Sequence, residues 1–457
     1  MRRIANIFIT LSLIPFLFSC SAKDNKEFKV EDVKIEYDSP NIVEIEKPTN
    51  INSRDEFTKF LDYSILYGTE NQFMYTTVSD EYLSELRANL DYEARWAGQY
   101  GALAHNFLIE YDFTRLDEGL VGSYGYIFPY ATLKNEVNEY TSRVYSYSYY
   151  NDILINDNNR GYSINDFYLA KNNKGYLEVS SSEAMFYAIE NGYMPYIAPE
   201  NKELREMLSK ILGILNRILR EGMSEYEKYE AMYSYLTNQV YYDYKMLNNK
   251  EGNPRLYRCY YLEGAIMDGL ATCDGLTKAL SVFCNLEGIE SFHVGAVSYH
   301  GGHAYNYTNI NDKWYLSCVT NGSHIESYKG MMYLDHTSSY FLSDLKPAPS
   351  WEFESEYRLD IAKLIDTKFN YWANTKIIID SKEYSLEITN KDDAITILNY
   401  VDELAYDNKI ALDIELLMDY DTYLEMLPSL SFKAISQIVN NGVYSSKKLY
   451  SFIFIGD

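Results

Sequence analysis

The chain has 457 residues, a formal net charge of −25 at pH 7 and 23% charged side chains. A surface that acidic excludes attachment to nucleic acid or anionic lipid through bulk electrostatics, and the length allows about three domains of ordinary size. Its 48 tyrosines fit half-buried packing positions, and composition alone assigns them no ligand.

In chain order, Met1 to Ser19 read "MRRIANIFITLSLIPFLFS": two arginines, an apolar stretch, then small residues. That is the pattern of a secretory signal, too short and wrongly flanked for an ordinary spanning helix. Its end, Leu17-Phe18-Ser19-Cys20, resembles the bacterial lipoprotein cleavage box. The resemblance implies lipidation of Cys20 and an extracytoplasmic protein held to the membrane by a lipid anchor. No later stretch is apolar for long enough to cross a bilayer. Residues 20–49 are charged and polar with few bulky apolar side chains, and read as a flexible tether.

Residues 50–200 read as a mixed α/β region. Ser53-Arg54-Asp55-Glu56 has capping-box spacing, a helical stretch runs from about Asp80 past Trp96, and Val144 to Tyr150 alternates like a strand. Val179 to Pro195 reads as strand end, Ser cap and helix, and Ile388 to Leu404 repeats that theme with Thr389 as cap. The clearest helix follows: Leu204, Met207, Leu208, Ile211, Leu212, Leu215, Ile218 and Leu219 keep the 3.6-residue period. Gly222 suits its stop, and Ser224-Glu225-Tyr226-Glu227 opens a second helix to about Asn238. A third helix begins at Cys273 and stops at Gly288, and three short strands follow in "SFHVGAV", "HAYNYT" and "KWYLSCV". The Pro-rich stretch Lys346 to Trp351 closes this unit, leaving 351–457 as a small C-terminal α/β domain with strand signals at Lys376 to Ile379 and Ala411 to Glu415.

Beyond Cys20 the cysteines are Cys259, Cys273, Cys284 and Cys318, without CxxC spacing. Cys273 sits in the first turn of a helix, where unpaired backbone N–H groups and the dipole favour a thiolate. Gly275 leaves backbone accessible nearby, where a substrate carbonyl can approach. A base must also be in reach. "HAYNYTNINDKWYLSCV" reads as a hairpin turning through Asn309 to Asp312, which sets Thr308 against Lys313 and His303 opposite Cys318. Directly opposed residues have Cβ atoms about 4.5–5.5 Å apart. In a nucleophile–base–orienter arrangement the third group is a carboxylate or amide that fixes the ring; here it is a cysteine.

These residues resemble the transglutaminase-like superfamily, a branch of the papain-like cysteine enzymes. Its C-D-G-x-x-x-A-L pattern is matched by Cys273-Asp274-Gly275 through Ala279-Leu280, with Gly288-Ile289 at the helix end. H-A-W-N is matched by His303-Ala304-Tyr305-Asn306, and W-Y-x-x-D-x-T by Trp314 through Thr320. The resemblance covers about Asn201 to Pro349 and implies an α+β core, residues 201–350, in which a Cys-bearing helix packs on an antiparallel sheet, flanked by mixed α/β regions. It implies Cys273 as nucleophile, His303 as base, Cys318 in place of the family's aspartate, and Gly275, Tyr305 and Asn306 near a protein or peptide substrate such as a cell-wall peptide. No cofactor and no nucleic acid are expected.

Three readings follow. The first is cysteine acyl transfer, by hydrolysis or cross-linking. The second is a catalytically impaired scaffold or binding protein, because a neutral thiol at 318 is a poor acceptor. The third is a Cys2His metal site from Cys273, His303 and Cys318. A disulfide using Cys259 is a further alternative. Asn306, Asn321 or Asp335 would substitute for the missing carboxylate if the fold brings one near. His293, His324 and His336 read as ordinary polar residues, and His300 as an aid to substrate binding.

Overall fold

A computed structural model describes residues 30–46, 159–243, 257–298, 301–320, 375–444 and 447–456, with short strands and single residues between them. The signal, Cys20, the capping box at Ser53, the helical stretch from Asp80, the Pro-rich break, and His300, Asn321, His324, Asp335 and His336 lie outside the described residues.

Among the described residues the two largest hydrophobic clusters run from Ile35 to Val319 and from Trp372 to Phe454. The first begins with an extended segment. Strand β1 (Ile42–Val43) pairs in parallel with β2 (Tyr176–Glu178), Ile35 is buried, and the Tyr37 hydroxyl accepts from the Ile197 N–H at 3.1 Å. Arg205 donates to the Ile35 carbonyl. A Cβ at Gly213 would collide with the Glu31 carbonyl oxygen, so glycine there lets the segment lie directly on a helix. Residues 30–46 are therefore part of the packed core. The expected flexible tether does not hold over that span, because its scattered apolar residues (Val30, Val33, Ile35, Tyr37, Ile45) all find one surface.

The same core contains α1 (Ser182–Glu190), β3 (Met194–Tyr196), α2 (Lys202–Ile218), α3 (Glu225–Gln239) and α4 (Cys273–Leu286). β3 lies parallel beside β2. Residues 164–197 share one hydrophobic cluster with α2, α3 and α4, so no boundary in packing falls at residue 200. The periodic stripe of α2 is buried as its spacing requires. Its C-cap is Leu219; Gly222, at φ +80°, instead turns the chain into the next cap. That cap is the expected capping box, Ser224 with Glu227.

α4 packs on an antiparallel sheet of order β6-β5-β4-β7, formed by β4 (Ser291–Ser298), β5 (Gly301–Ile310), β6 (Lys313–Ser317) and β7 (Glu352–Phe353). This is a mixed α+β architecture with the Cys273 helix against a sheet. In the second cluster, α5 (Lys391–Asn408) covers one face of a four-stranded sheet in which β8 (Ala411–Met418), β10 (Lys447–Ile455) and β9 (Ile435–Tyr444) pair antiparallel in that order, and Tyr145–Ser146 pairs in parallel with the other edge of β8. The cap of α5 is Asn390, whose side chain accepts from the Asp393 N–H, and not Thr389.

Candidate active site

Cys273 is the first residue of α4, and Thr272 before it is extended (φ −86°, ψ −179°). The Thr272 hydroxyl does not cap the helix. It donates to the Cys259 carbonyl at 3.2 Å, as the Thr272 N–H does at 2.8 Å. Gly275 is buried against the same turn, where a Cβ would stand 2.6 Å from the Cys259 carbonyl oxygen and 2.9 Å from that of Tyr261. Its missing side chain admits protein backbone, so the expectation that it opens a path for substrate is corrected.

The Cys273 side chain is partly exposed. Its sulfur accepts hydrogen bonds from the Ala304 backbone N–H and the Tyr242 hydroxyl. Burial, followed by the negative charge of Asp274, pushes the thiol up to about 11. The expectation of a thiolate sharpened by the helix start is therefore overturned. Loss of hydration and an adjacent carboxylate outweigh the helix N-terminal N–H groups. Tyr242 was missed in the sequence because it lies in a two-residue strand 31 positions upstream, brought in by parallel pairing of Tyr241–Tyr242 with Leu270–Ala271.

His303 and Cys318 do meet, with Nε2 and Sγ 3.0 Å apart, although the expected register is wrong. The turn is two residues, Asn311 and Asp312, both at positive φ (+52° and +61°), which pairs Ile310 with Lys313 and Tyr307 with Leu316. Asn-Asp tolerates the left-handed conformation that a tight hairpin needs. Against the expected pairing every partner on β6 shifts by two. Side chains alternate with period two, so that shift keeps each residue on its face, and His303 reaches Cys318 diagonally. Burial pulls the His303 imidazole down to about 4, leaving it neutral at pH 7.

Alternation also decides the neighbours. Ala304 and Asn306 turn toward α4, whereas His303 lies with Tyr305 and Cys318 on the other side of the sheet. The Tyr305 ring stands edge-on to the imidazole, 4.9 Å between centroids, and is buried. Asn306 is fully buried and donates from Nδ2 to the Thr277 carbonyl at 2.9 Å. Both side chains brace protein, so neither has the substrate-facing position expected of it, and Asn306 does not replace the carboxylate beside His303.

The face toward α4 holds a second cluster. Asp274 Oδ1 is 2.6 Å from His293 Nε2, and Asp274 Oδ2 is 3.9 Å from Lys278 Nζ. Lys278, fully buried, is 2.8 Å from Glu183 and donates to the Tyr260 carbonyl at 3.2 Å. The His293 N–H donates to Glu190 at 2.7 Å, and Ser281 donates to the same oxygen. Glu263 accepts from Ser182 at 2.8 Å, and burial pushes it up to about 7. Read in isolation His293 is an ordinary polar residue; in the fold its imidazole is bound to Asp274, the residue that follows Cys273. The spacing of Asp274 and Lys278, four apart on a helix, was the available signal.

Cys259, Cys273, Cys284 and Cys318 are all free thiols, so the alternative of a disulfide at Cys259 is corrected. Buried beside Asp243, Cys259 is pushed far above the usual thiol range. Among the described residues no group of three or more metal-ligating side chains converges, and Cys273, His303 and Cys318 do not form a metal site.

No family model and no curated protein matches the chain. Among solved structures it is similar to a TGase (13% identity, TM-score 0.22, covering 60% of this chain and 55% of that one). It is also similar to a candidate cysteine protease from Cytophaga hutchinsonii (11% identity, TM-score 0.20, 54% and 72% covered). The chain thus spans about half the length of the TGase. At TM-scores near 0.2 the overlap defines no fold.

Proposed function

We propose that this chain is a transglutaminase-like cysteine acyl-transfer protein in which Cys273 attacks an amide or peptide carbonyl and His303 is the general base. One observation carries the reading. The Cys273 sulfur meets β5 at the Ala304 N–H, one residue from His303, while His303 Nε2 is held 3.0 Å from the residue at the family's third position. Thiol and imidazole are both neutral at rest. With its proton on Nε2, the ring donates to the Cys318 sulfur and keeps Nδ1 as acceptor. As the sulfur attacks the carbonyl carbon, the His303 ring, which rests with Tyr305 on the sheet face away from α4, must turn toward the thiol to take its proton on Nδ1. The imidazolium then protonates the leaving amine, and a thioester remains for water or a second amine to resolve. The Tyr242 hydroxyl and the Ala304 N–H support the developing negative sulfur.

An iodoacetamide probe tests the base. Labelling of Cys273 near neutral pH is expected to fall in His303→Ala; equal labelling removes His303 from the mechanism. The substrate is proposed to be a protein or peptide outside the cytoplasm, with the chain anchored through lipid on Cys20. No helix among the described residues is long and apolar enough to cross a membrane. Cys20→Ala is expected to move the protein from the membrane fraction to the soluble one, and membrane retention of that variant rejects the anchor.

The second reading, a scaffold without turnover, is favoured by the thiol at 318 and the raised Cys273 thiol. Cys318→Asp separates the two: continued inactivity with amide substrates favours the scaffold.

A further inference from the structure

The pairing of β6 with β5 ends at Ser317, which lies opposite Asn306. Cys318, whose sulfur meets His303, comes one position later, so the ladder does not by itself fix where that sulfur stands. We propose that Tyr229 and Tyr233 of α3 are positioning residues, a clamp of two hydroxyls that grips Ser317–Cys318 and so holds the Cys318 sulfur against the His303 imidazole. This rests on the acyl-transfer reading above and names what seats the partner of its base.

The contacts are direct. The Tyr233 hydroxyl donates to the Cys318 carbonyl at 3.0 Å. The Tyr229 hydroxyl bonds to the Ser317 hydroxyl and also to the side chain of Thr308 on β5. Thr308 is in turn 2.8 Å from the Ser291 hydroxyl on β4. One phenol thus spans both strands of the hairpin, the one bearing His303 and the one leading into Cys318, and opposes sliding of either past the other. Tyr229, Tyr233, Ser317 and Cys318 are all buried. Burial holds the Tyr229 phenol far above its ordinary range, so it keeps its proton for these bonds.

The helix that carries the clamp is a fixed post. Tyr229 and Tyr233 are four residues apart, so they rise from one side of α3, and their rings stack with centroids 6.2 Å apart at 28°. Three residues before Tyr229, the Tyr226 hydroxyl is 2.9 Å from that of Thr375, which also bonds to Glu230 at 3.3 Å. α3 is therefore tied to Thr375 at one end and grips Cys318 farther along. Phenylalanine would fill the same space in the core at 229 and 233. What it lacks is the hydroxyl, and both hydroxyls are spent on the two residues that bring the sulfur to the ring.

The test is native-state alkylation of the full-length protein by iodoacetamide, with the rates at Cys318 and Cys284 read together by mass spectrometry. A sealed thiol reacts only when its surroundings open, and Cys284, fully buried in α4, reports opening of the core as a whole. Tyr233→Phe is expected to raise alkylation of Cys318 about tenfold relative to Cys284, the effect of one lost buried hydrogen bond. The second readout is the nitrogen-15 NMR spectrum of the His303 imidazole, whose Nδ1 and Nε2 signals are expected to move from one tautomer toward a mixture when the sulfur is no longer held. A role confined to packing would lower the melting temperature and speed both thiols alike, with the imidazole signals unmoved. Either readout left at its wild-type value in a folded Tyr233→Phe overturns the proposal. If that variant fails to fold, the same two readouts in Tyr229→Phe decide it. Neither measurement uses an acyl substrate, so the outcome is independent of turnover. Labelling of Cys273 in His303→Ala reports on the acyl-transfer reading separately.

Discussion

The two faces of the core sheet solve the problem of a buried imidazole in opposite ways. Toward α4, His293 is clasped by Asp274 within a network that runs through Lys278 to Glu183. On the other face His303 has the Cys318 sulfur and the edge of Tyr305, among apolar and aromatic side chains. The second environment strips water from the ring, which is why burial pulls His303 down to about 4. The difference teaches that this sheet keeps its acid–imidazole couple on the face that braces α4, with the carboxylate next to Cys273 in the chain.

The largest test of this contrast is to break the charged face. Lys278→Met strands Glu183 in a fully buried position and is expected to cost about 3–5 kcal/mol, seen as a lower urea midpoint. Adding Glu183→Leu should restore much of it. Next, Cys318→Asp places a carboxylate at the His303 contact. It should raise the His303 imidazole well above its present value, followed by NMR titration, and on the proposed acyl-transfer reading speed the reaction by about a hundredfold.

A third test uses the opposite pH signatures of the two faces. His303 titrates at about 4 when folded against 6.5 ordinarily, so the unfolded chain binds the extra proton between those values and stability falls as pH drops through that window. His303→Gln should remove that loss. Glu263 runs the other way: at about 7 against 4.5, it keeps a proton the unfolded chain has released, and stability falls as pH rises from 4.5 to 7. Glu263→Gln should therefore stabilise the protein at pH 8 relative to pH 5, as thermal melts at the two pH values would show. The smallest effect is expected from Asn306→Ala, which cuts one tie between sheet and helix at Thr277 and should cost about 1 kcal/mol.

Much of the reactive face was legible because it is local. Cys273, the hairpin and the His303–Cys318 contact lie within 46 residues, and the periodicity of a strand protects a register error of two from changing which side chains meet. The Asn311-Asp312 pair was the overlooked sign of the tighter turn. The charged face was not legible. Lys278 finds Glu183 across 95 positions and His293 finds Glu190 across 103, and no local pattern announces such pairings. Thiol ionisation was misjudged for a related reason: helix position is visible in sequence, whereas the dehydration that outweighs it depends on the whole packed core.

The segment at 30–46 has a practical bearing on anyone preparing this protein. It fills a furrow along α2, with the Glu31 carbonyl seated on Gly213 and Ile35 under cover. Trimming the gene to start after it would strip a lining from that furrow and leave greasy surface facing water. Poor yield or clumping of such a shortened product would reflect the missing strip of polypeptide, with no bearing on the chemistry of the sulfur.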